Sequence, residues 1–261
     1  MARRPVAPNM QDLGGWKAHG GRVRSGLLFR SGPLTGAEGQ RAVLANLGIR
    51  SIYDLRTAGE REIAPDRVPP DVDYVVVDVL SDLRGAGPSR LVKAMADPKA
   101  VEKLLGGGNT AARFEKSFRS MVSLPSALTG HHKLFSDFAE PEHTPAVFHC
   151  TTGKDRTGWA AAALLMLLGV AEDDIYADYL LTNQQLLPSL QPVIDRFVAA
   201  GGDVEVLKPL LSVQAEYLDA AVDEMRQRFG NVEGYFIKGL KLDTDTVERL
   251  KTMFVEPAES A

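Results

Sequence analysis

The chain has 261 residues, 44% of them hydrophobic and 25% charged, with a formal net charge of −4. That size and apolar content suit one domain spanning 1–261 with a sizeable core, and the mild acidity gives no reason to expect a nucleic-acid partner. A single cysteine excludes an intrachain disulfide framework, and no zinc-ligand spacing accompanies it.

Met1 to Met10 holds two arginines and no apolar h-region, so no conventional signal peptide is expected. Residues 1–35 read as an irregular arm and a hairpin. Asp12-Leu13-Gly14-Gly15 is turn chemistry, and Val23 and Leu27 to Arg30 flank the turn residues Ser25-Gly26. Thr35 is placed to cap a helix from Gly36 to Leu47, with Glu38 completing a capping box and Gly48 as the stop. Ile49 to Leu55 predicts a core strand ending in Asp54-Leu55-Arg56, where the loops of α/β proteins form sites. Glu60-Arg61-Glu62 reads as a solvated turn and Pro65 to Asp71 as a polar connector.

Asp73 to Leu80 is rich in valine and predicts a second strand, with Asp78 inside it. The loop from Ser81 to Pro88 follows and carries Asp82. Ser89 to Leu105 has helical periodicity broken near Asp97-Pro98, and Gly106-Gly107-Gly108-Asn109 stops it. Two further helices are expected over Thr110 to Leu124 and Ser126 to Ala139.

Pro145 to Phe148 predicts a short buried strand, and Thr157 to Leu168 an almost wholly apolar helix ended by Gly169. That apolar run is too short to span a bilayer. Helices are expected over Ala171 to Thr182, Leu190 to Ala200, Ser212 to Phe229, Val232 to Leu240 and Thr244 to Phe254. The fold class is therefore α/β, a short and mostly parallel sheet flanked by helices, with a helical C-terminal third.

Between the buried strand and the apolar helix lies His149-Cys150-Thr151-Thr152-Gly153-Lys154-Asp155-Arg156-Thr157-Gly158. A tight loop running into a helix N-terminus binds oxyanions through backbone N–H groups and the positive end of the helix dipole. The same field lowers a cysteine pKa from near ~8.5 to roughly 3.5–7.5, so Cys150 is a candidate nucleophile toward phosphorus. Arg156 offers a planar fork for two phosphate oxygens. Thr151, Thr152, Gly153, Lys154 and Asp155 complete the candidate phosphate cradle. Thr157 is placed to donate to the sulfur, and His149 to orient the loop.

Cys150, five intervening residues, Arg156 and Thr157 fit the Cys-x5-Arg-[Ser/Thr] signature, and the chain resembles the protein tyrosine phosphatase superfamily. The string HCTTGKDRTG narrows the resemblance to a bacterial branch that includes mycobacterial enzymes. Asn9 to Gly15, Leu28 to Gly32 and Asp54 to Thr57 also look like that branch. The resemblance implies a metal-independent phosphomonoester hydrolase with a phosphocysteine intermediate and no cofactor. It implies phosphotyrosine substrates, extending to phosphoserine, phosphothreonine and phosphoinositides. Lys154 is either an extra anion-binding cation or a plain solvent-facing lysine. The aspartate acid implied by the family falls on Asp82 first, with Asp78 and Asp155 as alternatives. Asp54 and Arg56 are expected to support the phosphate loop, and Arg30-Ser31-Gly32 to lie near it. A helical lid is implied at 88–108, and the expected compartment is cytoplasmic, with export lacking a cleaved signal also compatible. The competing readings are a phosphoinositide phosphatase and a non-catalytic phospho-ligand binder. The intact cysteine and arginine weigh against the binder.

Overall fold

The structure is a computed structural model that describes residues 7–36, 39–83, 97–105 and 110–258. Its strands are β1 (Gln11–Asp12), β2 (Lys17–Ala18), β3 (Gly21–Val23), β4 (Leu28–Ser31), β5 (Ser51–Asp54), β6 (Asp73–Val76), β7 (Ala146–His149) and β8 (Val255–Pro257). Five of them form the central sheet in the order β1-β4-β7-β5-β6, parallel except for β1. β2, β3 and β8 make a small antiparallel sheet.

The side chains of β4, β5 and β7 alternate between two buried faces. Phe29, Ile52 and Val147 pack on one side with Leu34, Leu44 and Ile49. Leu28, Tyr53 and Phe148 pack on the other, in the main core with Phe118, Phe135, Phe138 and Trp159. Burial on both faces is why apolar residues follow one another without alternation in Leu28-Phe29, Ile52-Tyr53 and Ala146 to Phe148.

The helices are α1 (Gln40–Asn46), α2 (Ala58–Ile63), α3 (Pro98–Leu105), α4 (Thr110–Ser123), α5 (Pro125–Phe138), α6 (Arg156–Leu167), α7 (Glu172–Ala199), α8 (Val204–Leu211), α9 (Ala215–Phe229) and α10 (Thr244–Phe254). α6 runs through the main core, and its Ala160 to Ala163 are all buried. Its start, at the C-terminal end of the central strand β7, is where the candidate loop sits.

Several sequence expectations are corrected. Val23 and Leu28 do not form a hairpin; β3 pairs with β8 from the C-terminus, while β4 pairs with β1 and β7. The Asp12 carboxylate accepts from Gly14 N and Gly26 N, so the Ser25-Gly26 turn hands the chain from one sheet to the other. α1 starts at Gln40 rather than Gly36, because Gly36 and Gly39 both take left-handed φ values. The strand expected to Leu80 ends at Val76, which leaves Asp78 beyond it.

The two helices expected over 171–200 are one, α7, which contains Pro188 and Pro192. Leu187, Leu190, Ile194 and Phe197 fall on one face of α7 and pack with Val101, Leu207 and Leu211. That burial outweighs the hydrogen bonds the prolines forfeit, and both prolines lie on the solvent side. α8 and β8 were not expected at all. Val232 to Leu240 is one short helical turn followed by a π-helix over Tyr235–Gly239. Most of the expected lid at 88–108 lies outside the described residues, which include only α3 of it.

Candidate active site

Cys150 follows directly on β7 and is fully buried. The amides of Thr151 to Arg156 have no acceptor among the described residues, so the loop presents a set of free donors. Burial pushes the Cys150 thiol up, but the Arg156 charge and the Thr157 hydroxyl and amide outweigh it, and the net shift is downward. The Asp155 charge opposes them. The Thr157 hydroxyl is buried and has no hydrogen-bond partner among the described residues, and it lies near enough to Cys150 to help lower the thiol pKa.

Arg156 opens α6, and its guanidinium is gripped from one side. Nη1 donates to Glu60 Oε2 at 2.9 Å and Nη2 to Glu60 Oε1 at 2.7 Å, with Leu55 O 3.3 Å from Nη1. Glu60 is buried at the third position of α2. Its carboxylate also accepts from the Thr57 amide at 3.0 Å, the Thr57 hydroxyl at 2.7 Å and the Thr151 hydroxyl. Burial alone would raise the Glu60 pKa, but Arg156 and these donors bring it down to about 2. The expected solvated turn at Glu60-Arg61-Glu62 is thus a helix whose acid orients the arginine fork. The capping-box spacing Thr57-x-x-Glu60 was the signal that could have found it.

Beneath the loop sits a buried charged cluster. Arg56 holds Asp54 through Nε (2.8 and 3.0 Å) and Nη2 (2.7 Å), and reaches Asp66 at 2.6 Å. Tyr74 donates to Asp54. His149 places Nε2 3.0 Å from Asp66 Oδ2 and Nδ1 3.3 Å from Cys150 O. Burial works against the Asp54 charge, yet Arg56 and His149 hold its carboxyl well below the usual range. Asp54, Asp66 and His149 lie close enough together to hold a cation. The Arg56 guanidinium already fills that space, so the cluster does not fit a metal. Asp66 and Tyr74 carried no motif that sequence reasoning could use.

Lys154 neither faces solvent nor projects toward a ligand. It is buried, pairs with Asp155 at 3.0 Å, donates to Ser212 O at 3.2 Å and lies over the Phe114 ring at 5.3 Å. Asp155 stands at the N-cap position of α6 without a side-chain capping bond and is partly exposed. Thr152 and Gly153 contribute carbonyls that accept from Asn9, and Gly153 accepts from Arg30 as well.

Asp82 is tied to the start of α5. Its Oδ2 accepts from Ser126 N at 2.7 Å, capping the first turn of α5. Burial raises the Asp78 pKa, while the charges of Arg61 and Arg156 reach it and pull the other way. Of the three aspartates, Asp155 acts on Cys150 through its charge, Asp78 feels the Arg156 charge, and Asp82 is bonded to α5.

The sequence model described as the tyrosine phosphatase family matches residues 4–256. A Cupriavidus necator protein named as a candidate tyrosine-protein phosphatase is 32% identical over 247 residues, covering 90% of this chain and 82% of its own. The triple specificity protein phosphatase PtpB of Mycobacterium tuberculosis is 28% identical over 256 residues, covering 88% of this chain and 91% of its own. A Nostoc commune tyrosine-protein phosphatase is 26% identical over 231 residues, covering 84% and 70%. With the cysteine loop, the arginine fork and a family match across nearly its whole length, this chain belongs to the tyrosine phosphatase family.

Proposed function

We propose that the chain hydrolyses phosphotyrosine through a phosphocysteine intermediate. The observation that carries the reading is the Cys150 thiol, buried yet shifted toward thiolate, at the mouth of a loop whose amides are free and whose arginine is aligned by Glu60. The Cys150 sulfur attacks phosphorus, and the bond to the tyrosine oxygen breaks. Asp155 supplies the proton that oxygen takes. Its carboxylate is close enough for its charge to oppose the thiolate, and it is open to solvent. Water then attacks phosphorus and returns a proton to Asp155; the S–P bond breaks with Thr157 donating to the departing sulfur. Arg156 and the amides carry the developing negative charge, so the step requires no metal. Asp54, Arg56, Asp66 and His149 hold the loop from below.

One relative of this chain is named for triple specificity, which favours a wider range of phosphate esters, phosphoserine and phosphothreonine included. Lys154 is fully engaged inside the protein, so it lends no exposed cation to a phosphoinositide headgroup. Phosphotyrosine is therefore the primary substrate of this reading. The test is turnover of matched phosphotyrosine, phosphoserine and phosphothreonine peptides and of phosphoinositide vesicles, by wild type and Cys150→Ser. The reading expects the phosphotyrosine peptide to be fastest and the variant inert. A variant that turns over, or a wild type selective for phosphoinositides, contradicts it.

A further inference from the structure

The Gly153 carbonyl receives two side-chain donors from far away in sequence. Asn9 Nδ2 lies 2.8 Å from it and Arg30 Nη2 3.0 Å. Asn9 Nδ2 also reaches the Thr152 carbonyl at 3.4 Å. Both side chains are completely buried, and both are held in turn. Gln11 Nε2 donates to Asn9 Oδ1 at 2.9 Å, which fixes which end of the Asn9 amide faces the loop. Arg30 Nη1 pairs with Asp178 of α7 at 2.8 Å, and its Nη2 meets Thr182 Oγ1 at 3.1 Å. Burying a guanidinium and an amide around one carbonyl costs desolvation that apolar packing would not.

Peptide units are planar and trans, so the C=O and N–H of one unit point in opposite directions. Drawing the Gly153 carbonyl toward Asn9 and Arg30 turns the Lys154 N–H away from them. Holding the Thr152 carbonyl does the same to the Gly153 N–H. Both amides belong to the set without an acceptor among the described residues. Gly153 sits at φ +70°, and a Cβ there would come 2.5 Å from the Ser31 carbonyl, so the loop is pressed directly against the end of β4.

We infer that Asn9 and Arg30 are positioning residues that aim the Gly153 and Lys154 amides into the phosphate site. The inference rests on the phosphocysteine reading above. It ties the loop to β1, β4 and α7 through two carbonyls, and it gives the buried Arg30–Asp178 pair a task beyond packing.

The test uses the full chain with Asn9→Asp and Asn9→Gly. Both substitutions tolerate the left-handed φ of 57° at this position and both remove the donor. A third variant, Arg30→Met with Asp178→Asn, removes the other donor without stranding a buried charge. The probes are orthovanadate and inorganic phosphate, read as inhibition constants against p-nitrophenyl phosphate well below the unfolding midpoint. Each folded variant is expected to bind both anions about tenfold more weakly, as misdirected amides would require. The pH midpoint for alkylation of Cys150 by iodoacetamide should move up, and kcat should fall more than KM rises. Variants that unfold earlier but bind vanadate as wild type does would overturn the inference and leave the phosphatase reading standing. A wild type that neither binds vanadate nor turns over would overturn both.

Discussion

At the scale of single residues, the site depends on a carboxylate that touches no substrate. Glu60 grips Arg156 through both guanidinium nitrogens and ties Thr57 and Thr151 to the same two oxygens. Arg156→Lys loses the bidentate geometry and should lower kcat/KM by about 100- to 1,000-fold. Glu60→Gln keeps the shape and loses the charge, so it should lower kcat/KM to a smaller degree while Arg156 remains in place. Steady-state kinetics on a phosphotyrosine peptide compare the two, and a Glu60→Gln enzyme with unaltered kcat/KM would remove Glu60 from the account. The proton donor is tested by leaving group. Asp155→Asn should slow phosphotyrosine hydrolysis by roughly 10²–10⁴-fold, slow p-nitrophenyl phosphate much less, and erase the basic limb of the kcat/KM profile. Asp82→Asn should leave both substrates turned over as by wild type, because its amide oxygen can still cap α5, and Asp82→Ala should cost only about 1 kcal/mol of stability through its lost cap. If Asp78→Asn alone shows the leaving-group pattern, the acid lies on the segment after β6. The nucleophile, the fork and the cradle were readable in the sequence because they are contiguous. Glu60, Asp66 and Asp178 were not, because only folding brings them to the loop. The bond from Ser126 to Asp82 was not readable either, because a loop aspartate and a helix cap look alike until the helix is known.

At the scale of elements, β7 and the apolar helix α6 were legible because burial on all sides leaves apolar runs in Ala146 to Phe148 and Trp159 to Leu167. α7 was not, since Pro188 and Pro192 are helix breakers by local preference, and only the partner face shows why the helix continues. The small sheet escaped because β8 is three residues long and pairs with β3 more than two hundred positions earlier. The packing of α3, the second half of α7 and α8 forms a satellite core apart from the main one, around Val101, Phe197, Leu207 and Leu211. Phe197→Ala should therefore loosen that core locally, at a cost of about 3–5 kcal/mol to its own opening. Hydrogen exchange would show faster exchange in α3 and α8 with α6 still protected. Equal acceleration in α6 would mean the satellite core and the main core open as one.

At the scale of the whole molecule, the buried carboxylates make stability depend on pH in a stated direction. Glu60 titrates near about 2 in the folded chain against an ordinary 4.5, so it is depressed by folding. Its contribution is present above the ordinary value and is lost as pH falls through the folded one. The shift corresponds to about 3 kcal/mol. Asp54 is depressed for the same kind of reason and adds in the same sense. Wild type should exceed Glu60→Gln in stability at neutral pH, and the gap should close as pH drops from about 4.5 toward about 2. Denaturant titrations at a series of pH values measure it, and a gap that stays constant would contradict the assigned ion pair. No helix among the described residues is long and apolar enough to cross a membrane.

The central claim is that phosphate passes through Cys150. The most direct measurement mixes the Asp155→Asn protein with a large excess of p-nitrophenyl phosphate, quenches in acid within milliseconds, and maps the bound phosphate by mass spectrometry. This substrate's leaving group still departs without the acid, while attack by water on the intermediate is slowed, so the covalent form should accumulate. The account predicts phosphate on the peptide containing Cys150, absent from Cys150→Ser and formed no more slowly than p-nitrophenol is released. Phosphate on any other residue, or product release with Cys150 unmodified at every time point, would contradict it.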